Sequence, residues 1–213
     1  MKRDTITPPM RVIQPSVLYF GTPVVLVSTR NSDGSSNLTP ISSAWALGDR
    51  LVLGMGISGL GCENLLRQRE CVINIPSAEQ WPAIEAIGRT TGRQPVPDFK
   101  QAMGYRGEAD KFACAGLTAL PSDTVQAARV AQCPLQIEAK LLAAHAMQAP
   151  ADADQSHAVY ILETQVSRVH AHEAIMQGDS QRIDTARWHP LVYVFRHYFG
   201  TGEKLGENFR AGN

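Results

Sequence analysis

The sequence predicts a mainly β fold, an antiparallel β-barrel with a few inserted helices. At least six apolar, β-branched runs recur at short spacing, and the helix-period segments between them are few. No Gly-x-Gly-x-x-Gly follows a strand, which argues against a parallel dinucleotide-binding sheet. A chain of 213 residues with 44% apolar content supports one sizeable core, so residues 1–213 are read as a single domain.

The elements follow in order. Val24–Thr29 is β-branched and apolar and predicts a strand, and Asn31–Gly34 is a turn cluster. Leu38–Trp45 predicts a second strand, Gly48-Asp49 a second turn and Leu51–Gly56 a third strand, together an antiparallel meander. Glu63–Gln68 predicts a short helix and Cys71–Ile75 a fourth strand. Over Ala78–Gly88 the helical period puts Trp81, Ile84 and Ile87 on one stripe. Glycine and prolines make Thr91–Asp98 a loop, with a helical turn or two over Phe99–Gly104. Leu135–Leu142 and Val159–Val169 predict long strands joined through Gln148–Gln155, and Leu191–Phe195 a short one. Trp45 and Trp81 are expected in the core.

Twenty basic residues balance twenty acidic ones and no basic run occurs, which removes the electrostatic footprint of a nucleic-acid binder. The longest apolar runs, such as Val24–Val27, are far too short to span a bilayer, and no apolar segment follows the N-terminal Met-Lys-Arg-Asp-Thr. A cytoplasmic protein with neither nucleic acid nor membrane as partner is expected. Cys62, Cys71, Cys114 and Cys133 match neither a redox pair nor a zinc knuckle and are read as reduced thiols. His170 and His172 fall on one face of a strand, but no carboxylate or cysteine stands at matching spacing, so no metal site is expected. Gly-x-Ser-x-Gly, the Walker loop and His-Glu-x-x-His are absent.

The chemistry concentrates between Asn37 and Asn64. Asn37, Thr39, Pro40, Ser42 and Ser43 put small polar side chains and a proline beside Ile41 on an otherwise apolar strand. Ser58-Gly-Leu-Gly-Cys-Glu-Asn64 then ends a strand with glycines and opens a helix, whose free N–H groups and dipole suit a phosphate. Together these offer a wall for a flat ring and a socket for its phosphate tail, with Ser58, Gly61, Cys62 and Asn64 as socket residues. The alternatives are structural: Ser42 and Ser43 as hydrogen-bonded barrel residues, Gly59 and Gly61 as turn glycines, Asn64 as a local cap. Glu63 in the first helical turn would repel a phosphate, and Arg67 or Arg69 could offset its charge. Tyr198 and Phe199 could stack on a ring or a partner, or pack on the barrel.

These segments resemble the flavin reductase-like, FMN-binding split-barrel family. The resemblance runs from about Gly21 to Gly206 through Gly21–Thr29, Asp33-Gly34, Asn37–Ser43, Leu47-Gly48, Cys62–Leu65, Cys71–Asn74, Asp110–Phe112, Ala115–Thr118, Cys133–Glu138 and His157. It implies a split β-barrel and a homodimer with FMN near the subunit interface. Asn37–Ser43 would face the isoalloxazine and ribityl chain, and Ser58–Asn64 the phosphate. It also implies an NAD(P)H-dependent flavin reductase that transfers hydride to flavin N5, chemistry that the cofactor supplies without a protein nucleophile. The alternatives are an FMN-binding electron carrier reduced by a partner protein, and a split-barrel protein without cofactor. His157 is the candidate on the nicotinamide side. The chain departs from the family at Cys62, where threonine is common, and around the histidine, where Ser156 replaces aspartate and Leu162 replaces glycine.

Overall fold

Alternation along Val24–Val27 sends neighbouring side chains to opposite faces of a strand, and both faces are covered, which is why the run has no polar interruption. Val25 and Val27 enter one core cluster, Val24 and Leu26 another. The computed structural model describes residues 8–147 and 158–209. Its strands are β1 (Phe20–Pro23), β2 (Val25–Arg30), β3 (Ser36–Ile41), β4 (Ala44–Leu47), β5 (Arg50–Gly56) and β6 (Glu70–Ile75). Four two-residue strands follow: β7 (Thr90–Thr91), β8 (Arg106–Gly107), β9 (Ala119–Leu120) and β10 (Arg129–Val130). The long β11 (Leu135–Ala146) and β12 (Val159–Ala171) and the short β13 (Val192–Val194) and β14 (His197–Phe199) complete the set. The helices are α1 (Leu60–Gln68), α2 (Trp81–Gly88), α3 (Asp98–Ala102) and α4 (Lys111–Cys114).

Seven strands form one antiparallel sheet in the order β3-β2-β6-β11-β12-β5-β4. Its two end strands, β3 and β4, are joined by Ser42 and Ser43 alone. Three virtual bonds of about 3.8 Å hold Ile41 and Ala44 within roughly 11 Å, so the sheet must curl until its edges meet. The fold is therefore the expected antiparallel split barrel, with its seam at Ser42–Ser43. The expected meander is corrected here. Leu38–Trp45 is two strands, each making a hairpin with its sequence neighbour, and the bend between them carries the chain from one end of the sheet to the other.

The barrel interior is filled by Leu51, Leu53 and Met55 of β5, Leu162 of β12 and Ile73 of β6, while Cys62 and Leu65 of α1 join the same cluster. Each fully buried leucine or isoleucine contributes roughly 1.5–3 kcal/mol. The second cluster lies outside the barrel, where Ile84 and Ile87 of α2 and Phe112 of α4 cover Val24, Leu26 and Leu38. Two expectations of burial fail: Trp45 is 56% exposed on β4 and Trp81 is 49% exposed at the start of α2. An apolar residue next to a turn or a helix start satisfies a periodicity without facing the core. Tyr198 packs against Tyr193 and Trp81 and donates to Glu85 at 3.2 Å, while Phe199 stays exposed. The connection Gln148–Gln155 and the candidate His157 lie outside the described residues.

Candidate functional site

Helix α1 starts at the Gly59 N-cap, and its first intrahelical bond runs from Glu63 N to Gly59 O at 3.2 Å. The N–H groups of Leu60, Gly61 and Cys62 precede that bond and have no partner among the described residues. Two cations converge beside them: Arg93 Nε and Lys100 Nζ donate to the Ser58 carbonyl at 2.7 and 3.0 Å. Arg93 also pairs with Glu63 at 2.6 Å. Arg67 and Arg69, expected to offset Glu63, are used elsewhere. Arg67 donates to Arg30 O and Asn64 Oδ1, and Arg69 to the carbonyls of Leu141 and Leu142.

A cavity of about 330 Å³ opens at this helix end, and Thr39, Pro40 and Ile41 of β3 with Met55 and Gly56 of β5 form its sheet wall. Ser58 and Cys62 line it from the start of α1, Phe99 and Lys100 from α3, Tyr105 from the segment after α3, and Lys111 from α4. The Cys62 thiol is buried, which pushes its pKa up to about 11, and it stays protonated at neutral pH. Pro40, Ile41 and Gly56 also border a second cavity of about 630 Å³, lined by Ser42, Ser43, Tyr193 and Tyr198. A groove of about 710 Å³ continues past Leu60 and Gly92 on the other side, along Asn64 and Arg93.

The remaining sequence-selected residues have structural partners. Asn37 is buried and donates to Thr39 Oγ1 at 3.1 Å, supporting the wall from behind. Ser43 Oγ donates to Gly54 O at 2.8 Å, fastening the seam. The Asn64 amide donates to Thr29 Oγ1 and Asn31 Oδ1 and accepts from Arg67, so it ties α1 to the end of β2. Gly61 is where α1 touches β3: a Cβ there would lie 2.2 Å from Thr39 Oγ1. Gly61→Ala is therefore expected to cost about 1–3 kcal/mol by overpacking, and Thr39→Ala in the same chain to recover part of it. Thermal melts of the two single variants and the double variant check this, and strict additivity would contradict it.

His170 meets a carboxylate that its sequence spacing did not show. Pairing of β11 with β12 brings Glu138 Oε1 to 2.7 Å from His170 Nε2, with Asp123 close by. Glu138 also accepts from Asp123 N, Thr124 N and Thr124 Oγ1, so these groups form a closed clasp within the structure. Sequence reasoning missed Arg93, Lys100 and Lys111. Arg93 lies in a predicted loop and Lys100 in a predicted helical turn, and Lys111 stood only inside the resembling segment Asp110–Phe112, with no role attached to it.

The family of the flavin reductase like domain matches residues 17–202. "Uncharacterized protein YdfE" of Bacillus subtilis (strain 168) is 40% identical over 210 residues, covering 99% of this chain and 97% of that protein. Among solved structures, flavoredoxin of Desulfovibrio vulgaris (Miyazaki F) superposes with a TM-score of 0.71 at 22% identity, covering all of both chains. Nitrilotriacetate monooxygenase component B from Bacillus cereus superposes with a TM-score of 0.74 at 18% identity, covering 94% of this chain and 100% of the other. At these identities the two structures bear on the fold alone.

Proposed function

Since this chain belongs to the flavin reductase-like domain family, we propose that it is a flavin-dependent oxidoreductase that binds FMN in the 330 Å³ cavity and takes electrons from NADH or NADPH. One observation carries the reading: three N–H groups without a partner among the described residues open α1 beside a cavity whose wall is Thr39-Pro40-Ile41, with Lys100 lining that cavity and Arg93 the adjoining groove, both donating to Ser58 O. The donor set fits the group. A phosphate suits the open N–H groups of Leu60, Gly61 and Cys62 with Arg93 and Lys100 beside them, and a flat apolar ring suits Pro40, Ile41 and Met55. When bound, the flavin supplies hydride acceptance and electron transfer. The protein's residues would hold and enclose it: Pro40 and Ile41 would pack against the ring, Thr39 spaces α1 from β3, and Tyr105 lines both this cavity and the second one. That second cavity has room for a donor or acceptor beside the same wall.

The proposal includes a homodimer in the cytoplasm. End strand β4 is paired on one side only and shows solvent Trp45 and Leu47, a face that a second copy would cover. The four free cysteines suit a reducing compartment. Light scattering with in-line absorbance on the FMN-loaded protein is expected to give twice 23.2 kDa with a flavin spectrum. Anaerobic NADH or NADPH is then expected to bleach it. A yellow protein that neither nicotinamide bleaches indicates an electron carrier reduced by a partner protein, and one that takes up no flavin overturns the reading.

A further inference from the structure

Lys111 is the one residue of the cavity that combines a full charge with near-complete burial. It opens α4, is 4% exposed, and its Nζ donates to the Leu38 carbonyl at 2.9 Å on β3. An ammonium has three donors, and here one of them has a protein acceptor. No carboxylate comes within ion-pair distance of it among the described residues. Burial first, and then the like charge of Lys100, lowers its pKa to about 8, so it remains largely charged at neutral pH. Glu108 acts on it through space but too weakly to offset burial, so the cation stays costly, and Lys111 lines the cavity. Arg93 and Lys100 are fastened at Ser58 beside α1, whereas Lys111 is fastened to β3, the wall assigned to the ring.

We propose that Lys111 stabilises the reduced ring of the bound flavin and so sets its reduction potential, an inference that rests on the flavin reading above. A hydride from a reduced nicotinamide brings two electrons and one proton, so a neutral ring gains one negative charge while the nicotinamide gains one positive charge. The ammonium of Lys111 faces that new charge where little water screens it, and no proton leaves the lysine.

The test is a spectroelectrochemical titration of the protein loaded with FMN and, separately, with riboflavin, after melting curves have established folding. Lys111→Met is expected to lower the midpoint potential with both flavins. An approximately tenfold loss in preference for the reduced form corresponds to about 30 mV for two electrons. Lys111→Arg, which keeps the charge, is expected to stay near the wild-type potential, and Lys111→Gln serves if the methionine variant does not fold. An unchanged potential in the uncharged variant overturns the proposal. So does weaker binding of FMN alone with riboflavin untouched, because it assigns Lys111 to the phosphate. A wild-type chain that takes up neither flavin overturns the parent reading and this one with it, before any variant is compared.

Discussion

Replacing Arg93 with alanine is expected to weaken FMN binding by about a hundredfold while riboflavin, which has no phosphate, loses little. Two effects add. The variant removes a charge-assisted partner, worth roughly 1.5–3 kcal/mol when the acceptor is ionic, and every 1.4 kcal/mol is about a factor of ten. It also releases Glu63, held at 2.6 Å by Arg93, leaving an unpaired carboxylate in the first turn of α1, where a negative charge disfavours a phosphate at the same helix end. The second effect is separable: Glu63→Gln added to Arg93→Ala should regain part of the loss. Titration of the two flavins by fluorescence quenching reads both. Equal weakening of FMN and riboflavin would mean that the phosphate does not lie at the start of α1.

The largest effect on stability is expected at Glu138, far from the cavity. Its side chain is fully buried and accepts from two backbone N–H groups, the Thr124 hydroxyl and His170. Burial alone would raise its pKa, but the hydrogen bonds from Thr124, Asp123 and His170 outweigh it and hold the carboxyl at about 2, below the ordinary 4.5. Glu138→Ala strands these donors in the interior, a loss of roughly 3–5 kcal/mol. At about 2–4 °C per kcal/mol for a chain of this size, melting should fall by roughly 6–20 °C. The sign with pH follows from the depressed pKa. The stabilisation is present above pH 4.5 and is lost as pH falls from there through about 2, so the gap between wild type and variant should narrow in acid. A gap that stays constant from pH 7 to pH 3 would contradict the role given to the ionised carboxylate.

Much of the barrel was legible because its signals are local. Val24–Val27 announces a strand covered on both faces, and Leu51, Leu53 and Met55 alternate as a strand facing an interior must. Two walls of the cavity were legible for the same reason: Thr39-Pro40-Ile41 breaks an apolar pattern, and Ser58–Cys62 carries the glycines of a helix start. The cations beside those walls were not. Arg93 and Lys100 reach Ser58 across 35 and 42 residues, and Lys111 reaches Leu38 across 73, along a path that no periodicity encodes. Glu138 and His170 meet because β11 and β12 pair, so the histidine's partner depends on register rather than on spacing within one strand. Asn64 shows the converse. Its place on α1 just after the glycines is local, but its amide is engaged by Thr29, Asn31 and Arg67, which only the folded chain brings near.

The seam at Ser42–Ser43 makes the barrel its own gauge of completion. The wall of the cavity, Thr39 to Ile41, ends where the sheet's two edges are joined, so a chain with that junction unformed has the residues of the site but not the site. Any ligand lodged there binds only the finished barrel, and mass action then adds about 2.7 kcal/mol to stability at a free concentration of 100 times Kd. With the proposed flavin as that ligand, cofactor supply and survival of the chain would be linked through this junction.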